Sequence, residues 1–221
     1  MEGGSARGLT QILRTGSLIL DAAMGTALIA RGLRGRAPAI NLTHPESVLA
    51  IHSAHVAAGA GLVLTNTLVG ASEEEAAAAL RLARASGARY VAASLWAGLA
   101  DLPRQIAQLA QADAIWLETA TSADQALAAV RAAVNCTSLP VVVTCALRGA
   151  PLQALRDAGA AAAGYNCSPW PDDAAAADVL KPDAAGLEPA DWARRLPRAR
   201  LLGGCCGTDA RHLAALRAAK S

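Results

Sequence analysis

The chain has no phenylalanine, and only four tryptophans and two tyrosines among its 221 residues. Its core must therefore be built from Leu, Val, Ile and Ala, and platforms of exposed aromatics for stacking bases are disfavoured. Charge of one sign is also scarce. Twenty basic against 18 acidic residues leave a formal +2 and a pI of about 8.4, too small a bias for an electrostatic nucleic-acid footprint. Although 53% of residues are hydrophobic, much of that is alanine, and no apolar run approaches the roughly 18 residues of a bilayer span. Met1–Arg14 lacks the continuous apolar stretch of a secretory signal. Charged residues make up only 17% and apolar segments recur throughout, unlike a disordered composition. The expectation is a cytoplasmic protein with neither nucleic-acid nor membrane partner. Residues 1–221 read as one domain, long enough to bury a real core.

Five cysteines are present, an odd number, and Cys205 and Cys206 are adjacent. In a reducing compartment, such usage points to metal binding or thiol chemistry rather than a disulfide framework.

Short apolar runs alternate with Ala/Leu/Arg segments of helical character. The strand candidates are Leu18–Leu20, Gly61–Leu64, Arg89–Ser94, Ala114–Leu117, Pro140–Cys145, Ala160–Tyr165, Asp178–Lys181 and Ala199–Leu202. Helices are expected at Pro45–Ala58, Glu73–Ala85, Ala123–Ala133, Pro151–Asp157, Asp191–Leu196 and Asp209–Ala219. Thr43 followed by Glu46 suggests a capping box for the first. Glu73-Glu74-Glu75 reads as a solvated helix start, and Asp209 as an N-cap. Eight strands alternating with helices predict a parallel α/β sheet closed into a compact (β/α)8 TIM barrel, trimmed in its later units. An open doubly wound sheet would need a glycine-rich phosphate loop after the first strand, and Asp21-Ala22-Ala23-Met24-Gly25-Thr26 is not one.

Barrel chemistry sits at the C-terminal ends of the strands. The polar residues found there are Asp21, Thr65, Asn66, Thr67, Ser94, Glu118, Thr119, Thr144, Asn166, Lys181 and Asp183, with Cys167 after the sixth strand and Cys205 and Cys206 after the eighth. Three thiols on one rim suit zinc, with a fourth coordination position left for chemistry. Cys167 alone reads first as a small buried apolar residue, but a glycine-flanked Cys205-Cys206 pair is poorly placed for packing. Cys136, Cys145 and the four histidines read as structural. Asp21 and Glu118 could cap or face solvent, or could bind a substrate ammonium.

Leu20-Asp21-Ala22-Ala23-Met24-Gly25-Thr26, Asn41-Leu42-Thr43-His44-Pro45-Glu46, Thr65-Asn66-Thr67, Leu117-Glu118-Thr119, Gly164-Tyr165-Asn166-Cys167 and Gly203-Gly204-Cys205-Cys206-Gly207-Thr208 occur in this order. Together they resemble the motifs of the homocysteine S-methyltransferase family. The resemblance implies a (β/α)8 barrel holding zinc through Cys167, Cys205 and Cys206. It implies homocysteine near Asp21, Thr65 and Glu118, activated as a zinc-bound thiolate and methylated to methionine. Three departures stand out: Ala22 for Gly, Ser94-Leu95-Trp96-Ala97-Gly98 for S-x-G-P, and Lys181-Pro182-Asp183-Ala184-Ala185-Gly186 where the family has P-N-A-G. The chain is also shorter than typical members, and its spare connections lie where the methyl donor would be walled in. An open mouth suits methylcobalamin carried by a corrinoid protein. The alternatives are a small sulfonium (S-methylmethionine or S-adenosylmethionine) covered by Trp96 or Trp170, a different thiol or selenol acceptor, and a non-catalytic zinc- or homocysteine-binding module.

Overall fold

A computed structural model describes residues 3–167, 174–197 and 199–220. In chain order they form α1 (Gly3–Thr15), β1 (Leu18–Ile19), α2 (Gly25–Ala30), α3 (Ala37–Thr43), α4 (Pro45–Ala57), β2 (Leu62–Leu64), α5 (Glu73–Ala85), β3 (Tyr90–Trp96), α6 (Leu102–Gln108), β4 (Ala114–Ala120) and α7 (Ala123–Cys136). There follow β5 (Val141–Cys145), α8 (Leu152–Asp157), β6 (Ala162–Asn166), a 3-10 turn at Ala174–Ala176, β7 (Val179–Lys181), α9 (Pro189–Arg195), β8 (Leu201–Leu202) and α10 (Ala210–Lys220). All eight strands are parallel, in the order β1-β8-β7-β6-β5-β4-β3-β2. A bridge between Leu20 and Leu62 joins the two ends, and the expected (β/α)8 barrel closes.

Alternation along each strand sorts the side chains into two cores. Val63, Val91, Ala93, Leu95, Ile115, Leu117, Val141, Val143, Ala163 and Leu180 pack outward beneath the helices. Leu20, Leu62, Leu64, Tyr90, Ala92, Ala114, Trp116, Val142, Ala162, Val179 and Leu201 fill the barrel. With phenylalanine absent, Trp116 and Tyr90 supply the bulk of that interior, and Ala92, Ala114 and Ala162 make room for it. The inner position of β6 at Gly164 admits no side chain, because a Cβ there would lie 1.9 Å from the Val179 carbonyl oxygen.

Helix α1, absent from the sequence expectations, closes the N-terminal end of the barrel. Leu9 and Leu13 join the inner cluster. Arg200, just before β8, donates to the carbonyls of Leu13 and Gly16 at 3.1 and 3.0 Å and to Asp178 at 2.7 Å. Helices α2, α3 and α6 were also not anticipated, being six or seven residues long, too short for a clear apolar period.

Two local expectations need correction. Thr43 does not cap α4. It ends α3, where its hydroxyl donates to the Ala39 carbonyl at 3.2 Å, and His44 is the N-cap without a side-chain bond. The capping box lies instead at Ser72 and Glu75 on α5. Glu75 is accordingly not solvated: it is buried and paired with Arg36, and the bonds from Ser72 and Arg36 hold its carboxyl below the usual range despite burial. Asp209 does cap α10, accepting the Arg211 N–H at 2.9 Å.

Candidate metal and acceptor site

Strands β3 and β4 continue past their apolar runs to Trp96 and Ala120. The alternation that fills the lower barrel with apolar groups therefore carries Ser94, Glu118, Thr144, Asn166 and Lys181 inward one layer higher. All five are buried, as are Asp21, Thr65 and Asn66 beside them. Most of these residues border a cavity of about 350 Å³, lined by Asp21, Thr65, Ser94, Glu118, Lys181 and the three cysteines, with Met24, Ile29, Leu68 and Val69 toward its outer rim.

The thiols of Cys167, Cys205 and Cys206 lie within 4.8 Å of one another. The Cys167 and Cys205 sulfurs are joined as a disulfide, with Cα atoms 5.5 Å apart, and the Cys206 sulfur is 3.3 Å from that of Cys167. A disulfide was not expected. Sulfurs gathered closely enough to share an ion are also close enough to pair. The donor set fits zinc, since thiolates about 2.3 Å from a tetrahedral ion sit at such separations, but a metal and this disulfide exclude one another. Only the reduced trio can hold an ion.

The backbone that presents the sulfurs is tightly specified. Gly207 has φ +78°, and a Cβ on Gly203 would lie 2.6 Å from the Asp21 carbonyl oxygen. The Gly204 N–H donates to that oxygen at 3.0 Å and the Cys205 N–H to the Pro182 carbonyl at 2.8 Å. Cys167 itself is left-handed, φ 49°, as is Thr119, φ 60°, conformations that non-glycine residues adopt at a cost. Asn166 links the two. Its Oδ1 accepts the Thr119 N–H at 3.0 Å, and its Nδ2 donates to Thr119 Oγ1 at 2.9 Å and toward the Cys205 sulfur at 3.9 Å. Burial, with Asp183 and Glu118 nearby, pushes the Cys206 thiol up. The other cysteines stand apart: Cys136 is exposed at the end of α7, and Cys145 is buried, which pushes its thiol up to about 12.

The three expected acceptor residues are all at the cavity, in different states. Glu118 Oε1 accepts from Ser94 Oγ at 2.8 Å, and no described residue donates to Oε2. Burial raises the Glu118 pKa, with partial opposition from the Lys181 charge and the Ser94 bond. Asp21 is fully engaged: Oδ1 takes the Lys181 ammonium at 2.5 Å and Oδ2 the Leu64 N–H at 2.8 Å. The Thr65 hydroxyl accepts the Ser94 N–H at 3.0 Å and sits 2.7 Å from that of Thr67. Asn41 and Asn66, from two of the sequence motifs, bind one another's side chain and backbone and tie α3 to the end of β2. Lys181 was legible only as the end of a strand. Its inward parity is the signal that could have marked it. Trp96 is 39% exposed and does not border the cavity; Trp170 lies outside the described residues.

A parallel barrel with a thiol trio at the C-terminal mouth defines a class in which sulfur donors close enough to share an ion face a buried polar pocket. The family model for homocysteine S-methyltransferase matches residues 18–108 and 97–220, and the chain belongs to that family. Among solved structures, it is similar to the Escherichia coli homocysteine methyltransferase MmuM. The apo form aligns at 23% identity and TM-score 0.75 over 97% of this chain and 99% of that one. The metallated form gives 23% and 0.76, and the oxidized form 21% and 0.76, each over 98% of this chain and 100% of that one. Identities at this level speak for the fold. No curated protein sequence matches the chain. Among the described residues no helix is long and apolar enough to cross a membrane.

Proposed function

We propose that the protein is a zinc-dependent homocysteine S-methyltransferase. The observation that carries this reading is the trio of cysteine sulfurs within 4.8 Å of one another, on the wall of a cavity that also exposes a buried carboxylate. Cys167, Cys205 and Cys206 hold the metal when reduced. Zinc bound there lowers the pKa of an acceptor thiol, so that its sulfur is a thiolate near neutral pH. The metallated and oxidized forms of the E. coli protein parallel the two states open to this cluster.

The chain's own residues position the acceptor. Glu118 Oε2 receives the α-ammonium; Ser94 holds the other oxygen and fixes the carboxylate's orientation. Asp21 and Thr65 form the adjoining wall, their polar atoms engaged with Lys181, Leu64 and Ser94, so they act by shape and charge. Thr119 and Asn166 keep the β4 end in register with the sulfurs. In the transfer, the acceptor sulfur, its proton released to solvent on binding, forms a bond to the methyl carbon, and the bond between that carbon and its carrier breaks with its electron pair left on the carrier.

For the donor, we favour methylcobalamin on a corrinoid protein. The outer rim is apolar and open: Ile29 and Val69 are 52% and 53% exposed, and a small donor needs walls that bury most of it. Initial rates with homocysteine, measured at equal concentrations of methylcobalamin, S-methylmethionine, betaine and S-adenosylmethionine on reduced, zinc-loaded protein, test the whole reading. Fastest transfer from methylcobalamin is expected. Turnover with a sulfonium alone overturns the donor assignment and keeps the enzyme. Absence of transfer from every donor, with zinc bound, overturns the activity and leaves a zinc-binding module.

A further inference from the structure

Lys181 is 3% exposed, yet it borders the cavity at the end of β7. An ammonium carries three N–H donors. Among the described residues, that of Lys181 has one acceptor, Asp21 Oδ1. Buried donors without partners are costly, and a charged one most of all. The remaining N–H groups therefore call for an acceptor that the described residues do not supply. The same ion pair removes Asp21 from consideration as a free receptor for a cation, because its other oxygen holds the Leu64 N–H. Glu118 then keeps an unpaired acceptor oxygen, and the Lys181 ammonium, although paired with Asp21, keeps N–H donors without a partner among the described residues. Glu118 and Lys181 stand on strands β4 and β7, separated around the barrel by β5 and β6, with Cys167 following β6 and Cys205 and Cys206 following β8. The Lys181 charge is felt at Glu118, where it opposes the rise caused by burial.

We propose that Lys181 is a specificity-determining residue that binds a carboxylate of the thiol acceptor, so that the pocket selects a zwitterionic thiol amino acid over a thiol amine. Lys181 and Glu118 take the two charged ends, and the thiol reaches the cysteine trio. This rests on the acceptor reading above. A second role for Lys181, neutralising Asp21 and nothing more, predicts no discrimination by the acceptor's carboxylate.

Calorimetric titration of reduced, zinc-loaded protein without any methyl donor separates these roles. Three probes are compared: homocysteine, 3-aminopropanethiol (no carboxylate) and 4-mercaptobutanoate (no ammonium). In the wild type, 3-aminopropanethiol should bind about 10- to 100-fold more weakly than homocysteine, the range for a charge-assisted hydrogen bond. In Lys181→Met that ratio should fall toward unity, while the penalty for 4-mercaptobutanoate, set by Glu118, persists. Because Lys181→Met leaves Asp21 buried and unpaired, the neutral pair Asp21→Asn/Lys181→Met gives the same reading in a chain without an orphaned charge. A ratio unchanged in the double variant, or near unity in the wild type, overturns the role of Lys181 and leaves the acceptor assignment standing. A wild type that binds none of the three thiols overturns both.

Discussion

The lower and upper halves of the barrel interior follow the same alternation and contain opposite chemistry. Below, Leu20, Leu62, Tyr90, Trp116, Val142 and Leu201 form a buried hydrophobic cluster. Above, Ser94, Glu118, Asn166 and Lys181 are equally buried. The lower layer draws stability from removing apolar surface from water. The upper layer costs stability, because each polar group gives up hydration and only some find full replacement. The incompletely bonded ones, Glu118 Oε2 and the Lys181 ammonium, mark where a ligand makes the difference. Stability and recognition are thus stacked along one axis, in adjacent layers of the same strands.

The sharpest way to break this comparison is at the sulfurs. Cys206→Ala should reduce zinc from about one ion per chain to background and abolish methyl transfer, while the melting transition of the metal-free barrel stays close to the wild type's. Metal analysis of reduced protein reads the first effect, and zinc retained at wild-type affinity overturns the ligand assignment. At the other extreme of the axis, Trp116→Ala should destabilise the fold by about 3–5 kcal/mol in chemical denaturation. Zinc content of the folded fraction should not change. A drop in zinc affinity of that fraction would join the two layers more tightly than the comparison allows.

A third test concerns a region outside both layers. His52 and His55, on α4, are buried, and three of their four ring nitrogens have no partner among the described residues. Burial lowers the His52 pKa to about 4, with His55 adding to the fall and Asp21 opposing it; His55 is lowered too, chiefly by burial, with Asp21 and Asp209 opposing and Lys181 and Arg31 assisting. A histidine kept neutral in the folded state contributes its full share of stability above its unfolded value. Between that value and about 4 the unfolded chain binds more protons, so stability falls as pH falls through this window. The loss from His52 alone should approach about 3 kcal/mol at its lower end. His52→Leu should flatten the denaturation midpoint between pH 6.5 and 4. An unchanged slope would place the acid sensitivity elsewhere.

The smallest expected effect separates recognition from folding. Glu118→Gln should lower kcat/KM for homocysteine about 10- to 100-fold, with zinc content intact and stability equal to or above the wild type's, since burial opposes the charged carboxylate. An unchanged kcat/KM rejects Glu118 as the ammonium receptor. A loss of stability would show that the upper layer holds the fold together as the lower one does.

Much of this was legible in the residues because it depends on local chemistry. All eight strands lie where apolar runs had marked them, since a strand buried on both faces needs such runs. The thiol trio followed from two segments, Asn166-Cys167 and Gly203–Thr208, whose positions at strand ends are set by those runs. Less legible were α1 and α3, because their value lies in what they cover. Helix α1 closes the barrel end, and α3 carries Asn41 to Asn66. The Thr43–Glu46 pattern misled because a capping box is decided by where the preceding helix ends, and α3 runs through Thr43.

By itself, the sequence determined the eight-fold alternation, the family, and which residue types stand at the mouth: these follow from hydrophobic period and from motifs a few residues long. Only the tertiary structure decided how those residues divide their partners. Asp21 and Lys181 are 160 positions apart, and nothing in either segment announces the other. Closing the barrel brings them into contact, occupies both oxygens of Asp21, and, among the described residues, leaves one Glu118 oxygen without a donor and the Lys181 ammonium with a single acceptor. Hydrogen-bonding capacity is a property of a residue, but whether it is already used depends on the neighbours that chain closure supplies.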